Sequence, residues 1–378
     1  MRKKALAVLL SLVMMLSVIS VPASAATGDA SANPAEHWFY DQLSEQGQDI
    51  YDAILKMYTA GTMADGVTSF DLIEEGVVER SVVENYLEGN RTLFNDFAAA
   101  KDAFDLEHPE AWYVDSSELS FRVTSETDGT LHAYMGPGKS EDYYVQGVED
   151  ADDVREKSAE LEQAINNIVS NASGTDYDKV KYVHGQITRS ISYRFETDCE
   201  PENMGFIRTA YALVTHEGVC EGYARSFQYA LNKLGIPCVL IHGLQTSGEP
   251  ESHMWTAVQL TDENTGVTAW YVVDPTWDDP IVLDAEGNVK KTGVNGTDGG
   301  ETETYLAVGQ NVVGANWQPS GFVSTSATEF VYPEIIRLSY GSGVIEKDGL
   351  KVEYDMDMMD DDVSTVYHVS YNGDGFFT

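Results

Sequence analysis

The sequence predicts an α+β protein: a helical first third, a central amphipathic helix feeding antiparallel strands, and a tail of further strands. Three observations carry that expectation. Apolar residues recur at helical spacing from Ala35 to about Glu107. Short alternating runs replace them from Ala111 to Gly147. The stretch His216 to Cys238, "HEGVCEGYARSFQYALNKLGIPC", reads as one amphipathic helix followed by three strand-like runs.

Taken in order, residues 1–25 read as a secretory signal peptide. "MRKK" is a basic start, "ALAVLLSLVMMLSVIS" an apolar stretch, and Ala23-x-Ala25 a small-residue cleavage site. The rival reading is a retained membrane anchor. No later run approaches the roughly 18 apolar residues of a membrane span. The expected location is secreted, extracellular or attached to the cell surface. Residues 26–110 form an N-terminal helical region, with Phe39, Leu43, Ile50, Ile54 and Tyr58 on one stripe, Gly47 breaking the run and His108-Pro109 stopping it. Residues 111–148 form a short β segment containing "WYVDSSELSFRV" and "TLHAYM". A catalytic domain is expected at 149–320. It opens with helices over Asp150–Ser170 and Asp176–Ser190. Its later part holds "CVLIHGL", "HMWTAVQL" and "TAWYVVDPTW" as strands and Asp284–Thr304 as a polar loop. Residues 321–378 read as a C-terminal β-rich region, with "EIIRLSY", "LKVEYDM" and "STVYHVSY" as its strands.

The formal net charge is −39, and loss of Arg2, Lys3 and Lys4 with the leader makes it three units more negative. Such a surface repels nucleic acid and anionic lipid, so neither is an expected partner. Apolar residues at 43% and aromatic residues at 11% argue against disorder despite the charge. Three cysteines, Cys199, Cys220 and Cys238, allow at most one disulfide, so this is no disulfide scaffold.

Cys220 admits two readings. It lies on the stripe of Ala224, Phe227, Leu231 and Leu234, where a thiol is ordinarily core filler. It also opens the helix, where unpaired backbone N–H groups and the positive dipole end favour a thiolate nucleophile and a developing oxyanion. Glu217 and Glu221 work against a thiolate. A catalytic thiol needs a base, and the base an orienting group. His184, His216, His242 and His253 are the candidate bases. His253 stands out because "TDENTG" reads as the turn of a hairpin. With the turn centred between Glu263 and Asn264, Trp255 faces Val272, Ala257 faces Trp270, and His253 faces Asp274. A carboxylate there fixes the imidazole tautomer. A two-residue register shift puts Thr276 opposite His253 instead. Asp274 has a rival reading, in which "DPTWDDP" is an acidic turn with Asp278 and Asp279 solvated or holding a calcium ion. They lack the Asp-x-Asp spacing of a calcium loop. The three signals together favour a Cys220–His253–Asp274 constellation.

"GVCEGYARSFQYALNKLGIPC", "HMWTAVQL" and "WYVVDPTWDDP" resemble the transglutaminase-like superfamily, in its secreted bacterial branch. "DKVKYVHGQITRSISY" and "AFDLEHPEAWYVD" resemble segments that precede the core in such proteins. The resemblance implies a papain-like core, with a Cys-bearing helix packed on an antiparallel sheet. It implies Cys220 as nucleophile, His253 as base and Asp274 as orienter, and no cofactor or metal is expected. The expected chemistry is acyl transfer from a protein or peptide amide through a thioester, resolved by an amine or by water. The alternatives are a cysteine protease or peptide amidase, and a non-catalytic binding or cell-surface module on the same fold. Met254 and Thr256 stand where many relatives carry Ala and Asn, which bears on substrate preference. No glutamine or tryptophan ahead of Cys220 offers itself as a second oxyanion donor.

Overall fold

The computed structural model describes residues 33–66, 70–138, 142–194, 199–246, 250–279, 301–320, 329–347, 350–354 and 368–371. The leader, residues 284–300 of the polar stretch and much of the tail lie outside these. Helix α1 (Glu45–Thr59) begins at Ser44, whose hydroxyl accepts from the Gly47 amide at 3.0 Å. Gly47 therefore belongs to the helix rather than breaking it, because the cap fixes the first turn around it. Strand β1 (Phe70–Asp71), α2 (Arg80–Leu87) and α3 (Thr92–Glu107) follow. Helix α3 buries Leu93, Phe97, Ala100, Ala103 and Phe104, and ends where Pro109 disfavours helical backbone at His108.

Trp112 to Asp115 do not open a strand. The Trp112 indole stacks on Tyr211 at 4.7 Å, and only Val114 makes a bridge, to Tyr144. The hairpin proper is β2 (Leu119–Ser125) with β3 (Leu131–Pro137), and β1 pairs on the outer edge of β3. Helices α4 (Ala151–Val169) and α5 (Asp176–Ser190) start where expected. Asp150 caps the first, and a reciprocal Thr175–Asp178 box caps the second.

Two short strands, β4 (Ser192–Tyr193) and β5 (Glu217–Gly218), pair in parallel, with α6 (Ala212–Thr215) between them in sequence. Helix α7 (Cys220–Leu234) buries Tyr223, Ala224, Phe227 and Leu231, and Gly235 ends it at φ 69°. Burying a side chain of the Phe227 or Leu231 kind stabilises by roughly 1.5–3 kcal/mol. Gly222 lets the helix sit close to the preceding segment: a Cβ there would lie 2.5 Å from the Ile207 carbonyl oxygen.

Helix α7 packs on an antiparallel sheet of β6 (Cys238–Gln245), β7 (Glu251–Thr261), β8 (Thr268–Val273) and β9 (Trp317–Pro319), in the order β8-β7-β6-β9. A one-turn helix, α8 (Gln310–Val313), precedes β9. In the tail, "EIIRLSY" is not a strand; Ile335 makes a single bridge to Trp270. Strands β10 (Gly343–Lys347), β11 (Leu350–Tyr354) and β12 (His368–Tyr371) form a separate antiparallel sheet. Among the described residues, no helix is long and apolar enough to cross a membrane.

The β7–β8 register is two residues away from the first expectation. Ala257 faces Val272 and Gln259 faces Trp270. The turn chemistry explains the shift. The Asp262 carboxylate accepts from the amides of Asn264 and Thr265, both at 2.9 Å, and Gly266 takes the left-handed conformation at φ 70°. The loop therefore centres between Asn264 and Thr265, one residue later than the sequence suggests.

The N-terminal region docks on α7. Arg225 donates to the Asp105 carbonyl oxygen at 2.6 Å and pairs with its carboxylate, and Gln228 donates to the Leu106 carbonyl at 2.9 Å. Between these parts lies a cavity of about 570 Å³, lined among others by Lys101, Trp112, Arg208, Glu221, His242 and Met254.

Candidate active site

Cys220 is the first residue of α7 and is half-exposed. The residue before it, Val219, is extended and has no side chain that can cap the helix, so the first-turn N–H groups receive no side-chain acceptor. The two carboxylates that spoke against a thiolate are both engaged. Glu221 pairs with Arg208 at 2.6 Å. Glu217 is buried facing Arg194, and accepts from the Asn203 side chain at 2.8 Å.

Of the four candidate histidines, three are held elsewhere. His184 Nε2 lies 3.0 Å from the buried Asp278 carboxylate, His216 Nδ1 lies 2.7 Å from the Ser190 carbonyl, and His242 Nε2 lies 3.1 Å from the Ser252 hydroxyl. His253, near the start of β7, is the one close enough to Cys220 for the thiol to act on its ionisation. Its Nε2 lies 2.6 Å from Asp274 Oδ2.

That last contact arises differently from the pairing expected. Strand β8 ends at Val273, and Asp274 falls one residue beyond the last pair, Thr256 with Val273. Carrying the observed register onward puts Asp274 across from Trp255, so His253 is its diagonal neighbour. A carboxylate and an imidazole on the same face still span that distance. Asp274 is fully buried and held from every side. Its Oδ1 accepts from the amides of Thr276 at 3.1 Å and Trp277 at 3.3 Å, and its Oδ2 also accepts from the Trp317 indole at 3.0 Å.

Burial by itself would lower the His253 pKa. The charge and hydrogen bond of Asp274, followed by Cys220, outweigh it and raise the pKa to about 10. The ring stacks on Trp255 at 5.7 Å and meets Trp277 and Trp317 edge-on, both at 6.4 Å. An aromatic wall of this kind keeps water from competing for the imidazole's partners.

Asp278 and Asp279 are not a solvated turn. Asp278 accepts from Thr302 Oγ1 at 2.6 Å and from the Tyr305 amide at 3.0 Å, besides facing His184. Asp279 accepts from the Tyr223 hydroxyl on α7. The sequence carried no local sign of these contacts, nor of Trp317, because each partner is remote in the chain.

Among the described residues no disulfide forms, and Cys199 and Cys238 are both buried. Burial drives the Cys238 thiol far above its ordinary range, with the Thr256 hydroxyl offsetting only part of that. Iodoacetamide at pH 6 is therefore expected to label Cys220 at least about tenfold faster than Cys199 or Cys238 in the folded protein. Peptide mapping reads the three rates, and equal rates would return Cys220 to the role of core filler.

No curated protein gives a significant match to the chain. Among solved structures, a TGase crystal structure is similar over 42% of this chain and 44% of its own length, at 16% identity and a TM-score of 0.27. The periplasmic domain of TgpA from Pseudomonas aeruginosa, bound to ethylmercury, is similar over 42% of this chain and 65% of its own, at 16% identity and a TM-score of 0.23. The chain thus spans less than two thirds of either protein. The Transglutaminase-like superfamily model matches residues 163–275, a stretch that includes Cys220, His253 and Asp274, and this segment of the chain is a transglutaminase-like domain.

Proposed function

We propose that the protein is a secreted, cysteine-dependent acyl transferase acting on protein or peptide carboxamides, with its catalytic domain at 149–320. The observation that carries this reading is His253, hydrogen-bonded to Asp274 and close enough to feel the charge of Cys220, which stands at the uncapped start of α7. Secretion rests on the leader-like residues 1–25.

In this reading the Cys220 thiolate attacks the carboxamide carbon and a C–S bond forms. The oxyanion sits against the first-turn N–H groups of α7. Collapse breaks the C–N bond, and His253 gives its proton to the departing amine. The thioester then meets an acceptor. A primary amine yields a new amide, and water yields the acid; in both cases His253 takes the acceptor's proton and the C–S bond breaks to return the Cys220 thiolate. The cavity beside α7 is lined by Glu221 and Met254, the chain neighbours of Cys220 and His253, and this reading seats the polypeptide bearing the amide there.

A glutamine peptide incubated with and without a primary amine, read by mass spectrometry, tests this. An amine adduct marks a transamidase, and deamidation or chain cleavage alone marks a hydrolase. Unchanged peptide marks a binding module on the same fold, and sinks the proposal.

The raised His253 pKa gives a pH expectation. The folded value of about 10 lies above the ordinary 6.5, so the proton that the leaving amine needs stays in place through neutral pH. Ammonia release from the peptide should hold level and then fall as pH passes about 10. The same shift stabilises the fold fully below about 6.5, a contribution lost as pH climbs toward 10. An alkaline limb below pH 8 would show that Asp274 does not hold the proton on His253.

A further inference from the structure

The turn "DPTWDD" is bonded at both ends. At its start Asp274 accepts from the amides of Thr276 and Trp277 and orients His253. At its end the Asp279 amide donates to the Thr276 carbonyl at 3.3 Å, and the Asp279 carboxylate accepts from the Tyr223 hydroxyl. Tyr223 lies three residues after Cys220, in the first turn of α7, and is fully buried. Its hydroxyl also lies 2.9 Å from the Ile191 carbonyl. One hydrogen bond thus links the helix that presents the thiol to the turn that presents the orienting carboxylate.

We propose that Tyr223 and Asp279 are positioning residues, whose hydrogen bond sets the separation of Cys220 from the His253–Asp274 pair. Neither touches the reacting atoms, and the effect passes through the internally bonded turn. Burial, followed by the Asp279 charge, holds the Tyr223 hydroxyl far above its ordinary range, so it remains a donor throughout the working pH range. The neighbouring charges are Arg194, which acts on Tyr223, and Glu217, which pairs with Arg194; both are buried. The inference rests on the proposed acyl-transfer reading only for its meaning, because the geometry it concerns can be probed without substrate.

The probe is iodoacetamide labelling of Cys220 at pH 6 and pH 9, in wild type, Tyr223→Phe, Asp279→Ser and Asp279→Asn. Tyr223→Phe keeps the ring and loses only the donor. Asp279→Asn keeps an acceptor oxygen and acts as the conservative rescue. The pH 6 rate is expected to fall about tenfold in Tyr223→Phe and Asp279→Ser, because the thiol is no longer held against the His253 imidazolium. The pH 9 rate should stay within about twofold, and Asp279→Asn should resemble wild type at both. Loss of fold would instead expose buried Cys238 and raise its labelling. Whichever of Tyr223→Phe and Asp279→Ser stays folded decides the matter, and an unchanged pH 6 rate in it overturns the proposal. If both unfold, the hydrogen bond holds the fold rather than the geometry, and the proposal is likewise overturned. Peptide assays of the same proteins are expected to show kcat falling with KM within about twofold. A wild type that labels as described but turns over no peptide would sink the acyl-transfer reading and leave the positioning role standing.

Discussion

Cys220→Ala is expected to abolish ammonia release and amine incorporation while leaving the fold intact. The loss should be on the order of a million-fold, the scale seen when the nucleophile of a coupled constellation is removed. No other thiol can take over, because Cys199 and Cys238 are buried. The cost to the fold is small for equally local reasons. Cys220 is half-exposed, and alanine is a strong helix former. The buried stripe of Tyr223, Ala224, Phe227 and Leu231 is untouched. Circular dichroism melting should place the variant within a few degrees of wild type, a change of about 1 kcal/mol or less. Turnover within tenfold of wild type would remove Cys220 from the mechanism, however well its geometry suits the task.

The parts of this site legible in the sequence are those governed by local rules. Helix α7 was readable because its apolar stripe has helical period and Gly235 and Pro237 end it. His253 and Asp274 were readable as the near ends of two strand-like runs. Their register was not, because it depends on which residue of "TDENTG" takes the left-handed position, and Asp262 settles that by capping two amides at once. Gly47 misled for a related reason: its helix cost is real, but the Ser44 cap and the packing of Ile50, Tyr51 and Ile54 outweigh it. The residues that fix the site in place left no trace in the pattern. Trp317 meets Asp274 across 43 positions, His184 meets Asp278 across 94, and Tyr223 meets Asp279 across 56. Two adjacent aspartates look like surface when read alone. They are buried because an imidazole and a phenol reach them from helices α5 and α7.

Asp274→Asn is expected to lower turnover by about 10⁴-fold, although the side chain keeps its size and shape. The four hydrogen bonds to Asp274 explain why so small a change should cost so much. The amides of Thr276 and Trp277 both donate to Oδ1, so the asparagine oxygen is drawn to that position. Its NH₂ group then stands where Oδ2 was, leaves the Trp317 indole N–H without its acceptor, and faces His253 Nε2, which it makes an acceptor. The imidazole proton moves to Nδ1, the side turned toward Cys220, where a lone pair is needed to take the proton of the acceptor amine or water. The charge that sustains the imidazolium disappears as well, so the alkaline limb near 10 should move down toward the ordinary histidine range. Adding His253→Ala to Asp274→Asn should cost far less than the product of the two single losses, because an orienter has nothing left to orient. Stopped-flow acylation of the four proteins gives that comparison directly. Freely multiplying losses would mean that the two residues act independently. A harmless Asp274→Asn beside an inactivating Asp278→Asn would transfer the orienting role to the carboxylate that holds His184.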